Sequence, residues 1–369
     1  MIKKNILIVS GEFHPTQSPR SFRTTELAKE LSKQGNNVTV LAPNIDAESY
    51  RLADEFGLKV DNIELSWSKL FPDDIKICYM LNRIFKFFLE YPDIQLALSL
   101  RKKLKKYSNY DVLISIAQPF PIHWGVSFIW DKFNKAKNPA KTWVADCGDP
   151  YMNVKYEKIP KPFYFNLLER SFLDKADYVT VPFEDMISLF NSNYRYKFEV
   201  IPQGFNLNVS DLPEYKENEI PTFIYSGTII PGSRDPFELI DYLEKKKLDY
   251  KFIIYTKQKH QLQKYNHLIG NKIYVRDYVK RDNLLESLSK VDFLVNIDLP
   301  KSNGKTIAVP TKLIDYRISG RPILSYCYTD FPKKVVDEFM RGKYDNAYVD
   351  ENFERFNIKN VAKEFLRLT

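Results

Sequence analysis

Cysteine is scarce in this chain. Cys78, Cys147 and Cys327 are all it has in 369 residues, and they lie far apart with no CxxC pair or zinc-ligand spacing. Neither a disulfide framework nor a structural metal is indicated, and a reducing, cytoplasmic setting is expected. Long apolar runs are missing too. Ile6-Leu7-Ile8-Val9 follows a basic start but stops at Ser10-Gly11-Glu12, too short for a signal peptide or a membrane span, and no later run reaches spanning length. No helix pair, finger spacing or basic stripe of a nucleic-acid reader is present, so no nucleic-acid partner is expected. Charge imbalance is slight: 55 basic against 47 acidic residues give a formal +8. Such an excess concentrates phosphorylated ligands or favours an anionic membrane surface without choosing between them. What the chain does have is aromatic side chains, 24 Tyr and 26 Phe, spread through the apolar segments as core and cleft walls.

At this length two cores are the expectation. Ile6–Val9 reads as a buried strand, Pro19–Gln34 as a helix, and Val38–Leu41 as the next strand. Ser18 can cap that helix with Pro19 in its first turn, and Gly35 supplies the stop. Between Pro43 and Tyr107 the pattern weakens to a helix near Asn82–Leu89 and another after Asp93 that ends in the basic run Arg101–Lys106. That run is either a solvated helix end facing the dipole or a surface that rests on anionic lipid. Strands at 112–116, 143–145, 178–181 and 198–201 then alternate with helices at 124–133, 163–174 and 184–190. The apolar pattern lapses over Pro202–Pro221, and a second strand, loop and helix start begins at Phe223. Strands at 252–255, 273–275, 293–297 and 323–326 and helices at 235–244, 282–290 and 311–319 follow, closing with an amphipathic helix at 357–368. The reading is α/β throughout: an N-terminal Rossmann-like domain over 1–205, a second over 218–350, and a helix at 351–369 packing back toward the first. In open parallel sheets ligands sit beyond the C-terminal strand ends, so two such domains facing each other would share a cleft.

The loop Ser226-Gly227-Thr228-Ile229-Ile230-Pro231-Gly232-Ser233-Arg234 precedes a helix whose Asp235, Pro236 and Glu238 suit a capping box. Glycine allows close backbone approach, helix-start amides favour an anion, and Arg234 can pair with phosphate oxygens. The loop is neither a Walker A loop nor a GxGxxG fingerprint, and a glycine turn alone is often only a turn. Lys257, after the next strand, would add a second cation or be an ordinary surface lysine. In Val309-Pro310-Thr311-Lys312-Leu313-Ile314-Asp315-Tyr316, Thr311 can cap a helix and Asp315 can accept both ribose hydroxyls, or simply suit the helix dipole.

The segment Pro310-Thr311-Lys312-Leu313-Ile314-Asp315-Tyr316 with Gly320-Arg321-Pro322-Ile323-Leu324 resembles the Pro-Ser/Thr-Lys-Leu-x-Glu/Asp-Tyr…Gly-x-Pro signature of retaining GT-B glycosyltransferases of the family-4-like group. The resemblance implies two Rossmann-like domains facing across a cleft. It also implies transfer of a sugar from a nucleotide diphosphate donor to a glycan or lipid-linked glycan acceptor, with retention, no metal and no bound cofactor. Donor contacts then fall to Gly227, Thr228, Arg234, Lys257, Pro310, Thr311, Lys312 and Leu313, with Asp315 on the ribose. The opening Ile8–Pro15, Arg20, Arg23 and Leu27–Leu31 carry the same likeness, placing Phe13, His14, Arg20 and Arg23 on the acceptor side, one of the two arginines being structural. Asp146-Cys147-Gly148-Asp149-Pro150 is similar to the family's Asp-Leu-Arg-Asp-Pro, with Gly148 in place of arginine and Asp149 as the acidic candidate, or a turn cap. His123 would contact the transferred sugar or serve as a loop hydrogen-bonder. Many members carry two glutamates with seven residues between them; here the position eight residues upstream of Asp315 is Ile307, leaving Asp298 as a spatial substitute. An epimerase of the same architecture and a non-catalytic sugar-nucleotide-binding protein remain as alternatives. The acceptor implied is a surface polysaccharide, such as capsule or lipopolysaccharide, built by a cytoplasmic enzyme peripheral to the inner face of the cell membrane.

Overall fold

Four apolar residues in succession, Ile6 to Val9, form the middle of β1 (Asn5–Ser10), and Ile6 and Ile8 bury on one face while Leu7 and Val9 bury on the other. A strand covered on both sides belongs in a parallel sheet with helices on each face. The computed structural model, which describes residues 3–65, 71–72, 74–152, 160–207, 212–298 and 311–369 with the Thr311 side chain excepted, contains two such sheets.

The first unit comprises Met1–Asn206 and Glu354–Thr369. After β1 come α1 (Pro19–Lys33), β2 (Asn37–Ala42), α2 (Ala47–Phe56), β3 (Lys59–Asn62), α3 (Lys76–Leu89) and α4 (Ile94–Lys103). β4 (Tyr110–Ala117), α5 (Pro121–Ser127), β5 (Ala140–Cys147), α6 (Phe165–Lys175), β6 (Tyr178–Val181) and β7 (Phe198–Val200) complete it. The parallel order is β3-β2-β1-β4-β5-β6-β7, so the direction of winding reverses between β1 and β4. Ser18 caps α1 by accepting from the Ser21 amide, Pro19 opens the helix, and Gly35 follows it at φ 89°, as the sequence suggests. α2 and β3 were not foreseen. The expected helix at 124–133 is instead α5, which starts at Pro121 and stops early; beyond it Asp131 Oδ1 accepts from the Phe133 and Asn134 amides and turns the chain. The helix expected at 184–190 is a 3-10 turn over Glu184–Leu189.

The second unit is Leu207–Phe353. It runs β8 (Thr222–Ser226), α7 (Phe237–Lys245), β9 (Lys251–Tyr255), β10 (Ile273–Arg276), α8 (Arg281–Ser289), β11 (Phe293–Asp298), α9 (Thr311–Ile318), β12 (Ile323–Cys327) and α10 (Lys333–Phe339). Its parallel order β10-β9-β8-β11-β12 reverses between β8 and β11. Phe223 stacks on Phe293 at 4.7 Å and meets Phe252 at 4.6 Å, holding the middle strands together from one face. The capping box expected at Asp235 does not form. Its carboxylate accepts from the Phe237 amide at 3.0 Å and the Gly232 amide at 2.6 Å, tying the preceding loop to the helix start.

α11 (Ile358–Arg367) belongs to the first unit, where Ile358, Val361, Ala362 and Phe365 form a buried stripe at helical spacing beside α1. Gly204 makes room for it: a Cβ there would lie 2.4 Å from Ile358 Cδ1.

Candidate functional site

In the second unit the winding reverses where β8 and β11 end, and the chemistry gathers there. α9 is fixed at that edge by Tyr316. Its buried hydroxyl accepts from the Ser226 amide at 2.8 Å and donates to the Val295 carbonyl at 3.3 Å, so one side chain ties the helix to both strands. Gly227 has φ 150°, and a Cβ on it would meet the Tyr225 hydroxyl at 3.6 Å and the Lys312 stem at 4.0 Å. That backbone angle favours glycine, and Lys312 lies along the turn with its ammonium 4.7 Å from the Tyr225 ring centroid.

Lys312 is the most perturbed cation described. Burial and, next, the positive charge of Arg234 push its pKa down to about 7, with Asp298 opposing. Among the described residues neither Lys312 Nζ nor Arg234 Nε, both buried atoms, has a hydrogen-bond acceptor. Two cationic donors that repel each other and lack acceptors are costly unless an anion joins them. The turn carrying Arg234 is itself rigid, with Ile230 and Arg234 exchanging backbone hydrogen bonds at 2.8 and 2.9 Å. Asp298 ends β11, accepting from Asn296 Nδ2 at 3.0 Å, and Asn296 also donates to Ser325 at 2.8 Å.

Asp315 has a partner that sequence reasoning missed. Arg281, at the start of α8, donates from Nε to Asp315 Oδ1 at 2.8 Å. Burial raises the Asp315 pKa against the opposing charge of Arg281. Lys257 is exposed, with its ammonium 5.4 Å from the Tyr278 ring centroid. The next residue, Gln258, reaches the β8 turn instead, accepting from the Ile229 amide at 3.4 Å. Thr228 is exposed and its carbonyl accepts from Tyr225 at 2.8 Å, while Leu313 packs in the core against neighbours of Tyr316. Pro310, the Thr311 side chain, Ile307 and the segment 300–308 lie outside the described residues.

In the first unit the β1, β4 and β5 ends meet. A Cβ on Gly11 would sit 2.2 Å from Pro119 Cδ, so the β1 and β4 loops touch there. Arg20 pairs with Asp149 at 3.2 Å, and a Cβ on Gly148 would fall 1.8 Å from the Arg20 guanidinium. The guanidinium that the Asp-Leu-Arg-Asp-Pro pattern would supply at Gly148 thus has its space filled by Arg20 from α1. Arg23 is the structural arginine. Its Nε and Nη2 grip both Asp146 oxygens at 3.0 and 2.9 Å, it also donates to the Ile201 carbonyl at 3.1 Å, and Thr180 donates to Asp146 at 2.7 Å. Burial works to raise the Asp146 pKa, but the Arg23 charge and hydrogen bonds overcome it and hold the carboxyl below the usual range.

Two expectations for this unit need correction. His123 is fully buried, and burial drives its pKa down to about 3, so it stays neutral. The Trp143 indole donates to Ser115 Oγ at 2.8 Å; that hydroxyl and His123 Nδ1 share a hydrogen bond at 2.8 Å, and Nε2 lies 3.5 Å from Cys147 Sγ. It is a core residue placed to hold β4 and β5 together, with no surface to offer a sugar. Phe13 is likewise buried in the core, whereas His14 remains half-exposed.

The family model described as Glycosyltransferase Family 4 matches residues 22–209, just over half of the chain. Several solved structures are similar along nearly the whole length. The apo form of the lipopolysaccharide outer core galactosyltransferase WaaB is 13% identical, with TM-score 0.57, 99% of this chain and 98% of that one covered. A glycosyltransferase from Rickettsia africae is 14% identical, with TM-score 0.58 and 99% and 97% covered. TarM is 11% identical, with TM-score 0.58 and 99% and 98% covered. No curated protein matches by sequence. Among the described residues no helix is long and apolar enough to cross a membrane, and no group of three or more His, Cys, Asp or Glu could hold a metal ion.

Proposed function

The chain belongs to glycosyltransferase family 4 and has the GT-B fold, and on that premise we propose that its second unit holds a nucleoside diphosphate sugar between Arg234 and Lys312. The carrying observation is that pair of cations, each with a buried donor lacking an acceptor, at the point where the winding of the sheet reverses. The diphosphate accepts from both, and the opening amides of α9 add to them. Asp315, oriented by Arg281, accepts from the ribose hydroxyls. As the bond from the anomeric carbon to the diphosphate breaks, charge grows on phosphate oxygens that already face fixed cations, and this stabilises the transition state without reorganisation. The acceptor hydroxyl attacks from the face the diphosphate leaves and passes its proton to a departing phosphate oxygen, which gives retention without a protein base.

Arg20 and Asp149 form the acceptor side in this reading. The acceptor is a surface glycan, lipid-linked, met by a cytoplasmic protein at the inner face of the membrane. Likeness to a lipopolysaccharide galactosyltransferase supports that class; a DNA acceptor belongs in the same screen, because a similar α-glucosyltransferase structure contains DNA. Thermal shift against UDP-, GDP- and other nucleotide sugars selects the donor, since a ligand preferring the native state raises apparent stability. Incubation with acceptors and nuclear magnetic resonance of the product then read the linkage. Failure of every nucleotide to stabilise the protein would refute the donor site, and an isomerised sugar nucleotide as the product would favour an epimerase.

A further inference from the structure

Asn296 is fully buried on β11, an interior strand of its sheet, which is a costly place for an amide whose polar atoms are not all paired. Leu294 of β11 and Ile323 of β12 pack with Leu313 and Tyr316 of α9. Two residues further along each strand the side chains face the same way, so Asn296 and Ser325, partners in register, come next on that face, and Asp298 follows where β11 ends. The apolar contact with α9 thus gives way to polar side chains at the same end of the sheet as the β8 turn bearing Arg234 and the start of α9.

Asp298 sets the orientation of the group. A carboxylate only accepts hydrogen bonds, so the Asn296 atom facing it at 3.0 Å is Nδ2, which also donates to Ser325 Oγ at 2.8 Å. Ser325 in turn donates to the other Asp298 oxygen at 3.5 Å. Asn296 Oδ1 is left facing away from both; it is buried and, among the described residues, receives no hydrogen bond. Asp298 itself is half-buried, and a carboxylate held by two donors still has lone pairs to offer. Two kinds of unpaired buried atom therefore gather at one end of the sheet. Lys312 Nζ and Arg234 Nε are donors without an acceptor, Asn296 Oδ1 is an acceptor without a donor, and the Asp298 charge is near enough to act on Lys312. A diphosphate offers only acceptors and serves the first kind alone. A sugar hydroxyl donates, and in a nucleoside diphosphate sugar it is tied to that same diphosphate.

We propose that Asp298 and Asn296 Oδ1 accept hydrogen bonds from hydroxyl groups of the transferred sugar, with Ser325 positioning the Asp298 carboxylate. The inference rests on the donor site proposed above and adds the sugar to it. The transferred sugar then carries a free hydroxyl where it faces Asp298. A sugar that is deoxygenated or substituted there is rejected, because it leaves buried acceptors unpaired, and a site built to bond a hydroxyl discriminates strongly against the analogue lacking it.

Calorimetry on the full chain with UDP, GDP, UDP-glucose, UDP-galactose, UDP-N-acetylglucosamine and GDP-mannose tests it, each conjugate being compared with its own nucleoside diphosphate. Asn296→Leu and Ser325→Ala should each weaken the preferred conjugate by about tenfold while leaving the affinity for UDP or GDP as it was. Deoxyfluoro analogues of that conjugate, in which one hydroxyl at a time can no longer donate, locate the contact: in the wild type at least one should bind about tenfold more weakly than its parent. In Asp298→Ala the parent and that analogue should bind alike; reading their ratio cancels any change at Lys312. Should Asn296→Leu not fold, Ser325→Ala and the analogue ratio decide. Equal losses for the conjugate and the nucleoside diphosphate would make these residues merely structural and overturn the proposal. So would analogues that all match their parent in the wild type, or a ratio that survives Asp298→Ala. In each of those cases the donor site stands, whereas failure of every nucleoside diphosphate to bind would overturn both.

Discussion

Binding of the donor should take up a proton at Lys312. In the free protein burial and Arg234 hold its pKa at about 7 instead of the usual 10.5. A diphosphate brought against the ammonium reverses both influences, and the difference between the two values sets a ceiling of about 5 kcal/mol on the coupling. Above pH 7 the free lysine is neutral, so the affinity for UDP or GDP should fall by about fifty-fold between pH 7 and pH 9, a range in which the terminal phosphate is already ionised. Titration calorimetry in buffers of different ionisation enthalpy should register up to one proton absorbed per nucleotide at pH 8. Lys312→Arg, which stays charged, should bind with a flat profile over the same range. Stability carries the opposite signature. The folded state binds fewer protons than the unfolded one between about 7 and 10.5, so stability rises with pH across that window and the cost of the buried charge is full below it. Lys312→Met should accordingly raise the melting temperature of the free protein at pH 6 while weakening nucleotide binding. A flat affinity profile for the wild type with no proton uptake would refute this reasoning.

Arg23→Ala should destabilise the protein by about 3–5 kcal/mol in urea unfolding, because it strands the Asp146 carboxylate in the core; a loss below about 1 kcal/mol would contradict the role given to that pair. Gly148→Ala should displace the Arg20 guanidinium, since its Cβ falls 1.8 Å away. The expected result is a higher KM for acceptor with donor affinity unchanged, and unaltered acceptor kinetics would detach Arg20 and Asp149 from the acceptor side. Burial raises the Glu169 pKa to about 7 from 4.5. The folded state therefore holds a proton that the unfolded state has released, stability falls as pH rises through that window, and Glu169→Gln should recover on the order of 1–3 kcal/mol at pH 8 and little at pH 4.

The sequence announces those elements whose ends carry chemical punctuation. α1 is legible from Ser18, Pro19 and Gly35, and each sits where the spacing places it. α2 has signals as good, Asp46 and Ser49 forming a capping box and Gly57 the stop, but β3 beside it is short and only half-buried, and without a clear strand the pair is hard to read. At the proposed donor site, residues near in sequence are legible together and those joined only by the fold are not. Lys312 and Asp315 belong to one motif; Arg281, thirty-four residues upstream of its partner Asp315, shares no pattern with it. Tyr316 lies in the motif, yet only the sheet reveals that its hydroxyl joins β8 to β11 through α9. His123 shows the converse difficulty. Its place after a strand end suggests a ligand contact, but whether a helix turns such a residue outward or into the core depends on packing against Phe120 and Phe172, which sequence order does not encode.

The most direct test of the donor site is a double-mutant cycle on nucleoside diphosphate affinity. Arg234→Met and Lys312→Met should each weaken binding by about tenfold or more, and the double variant should lose less than the product of the two, since both donors serve one anion. Affinity unchanged in the double variant, with the fold preserved, would contradict the account.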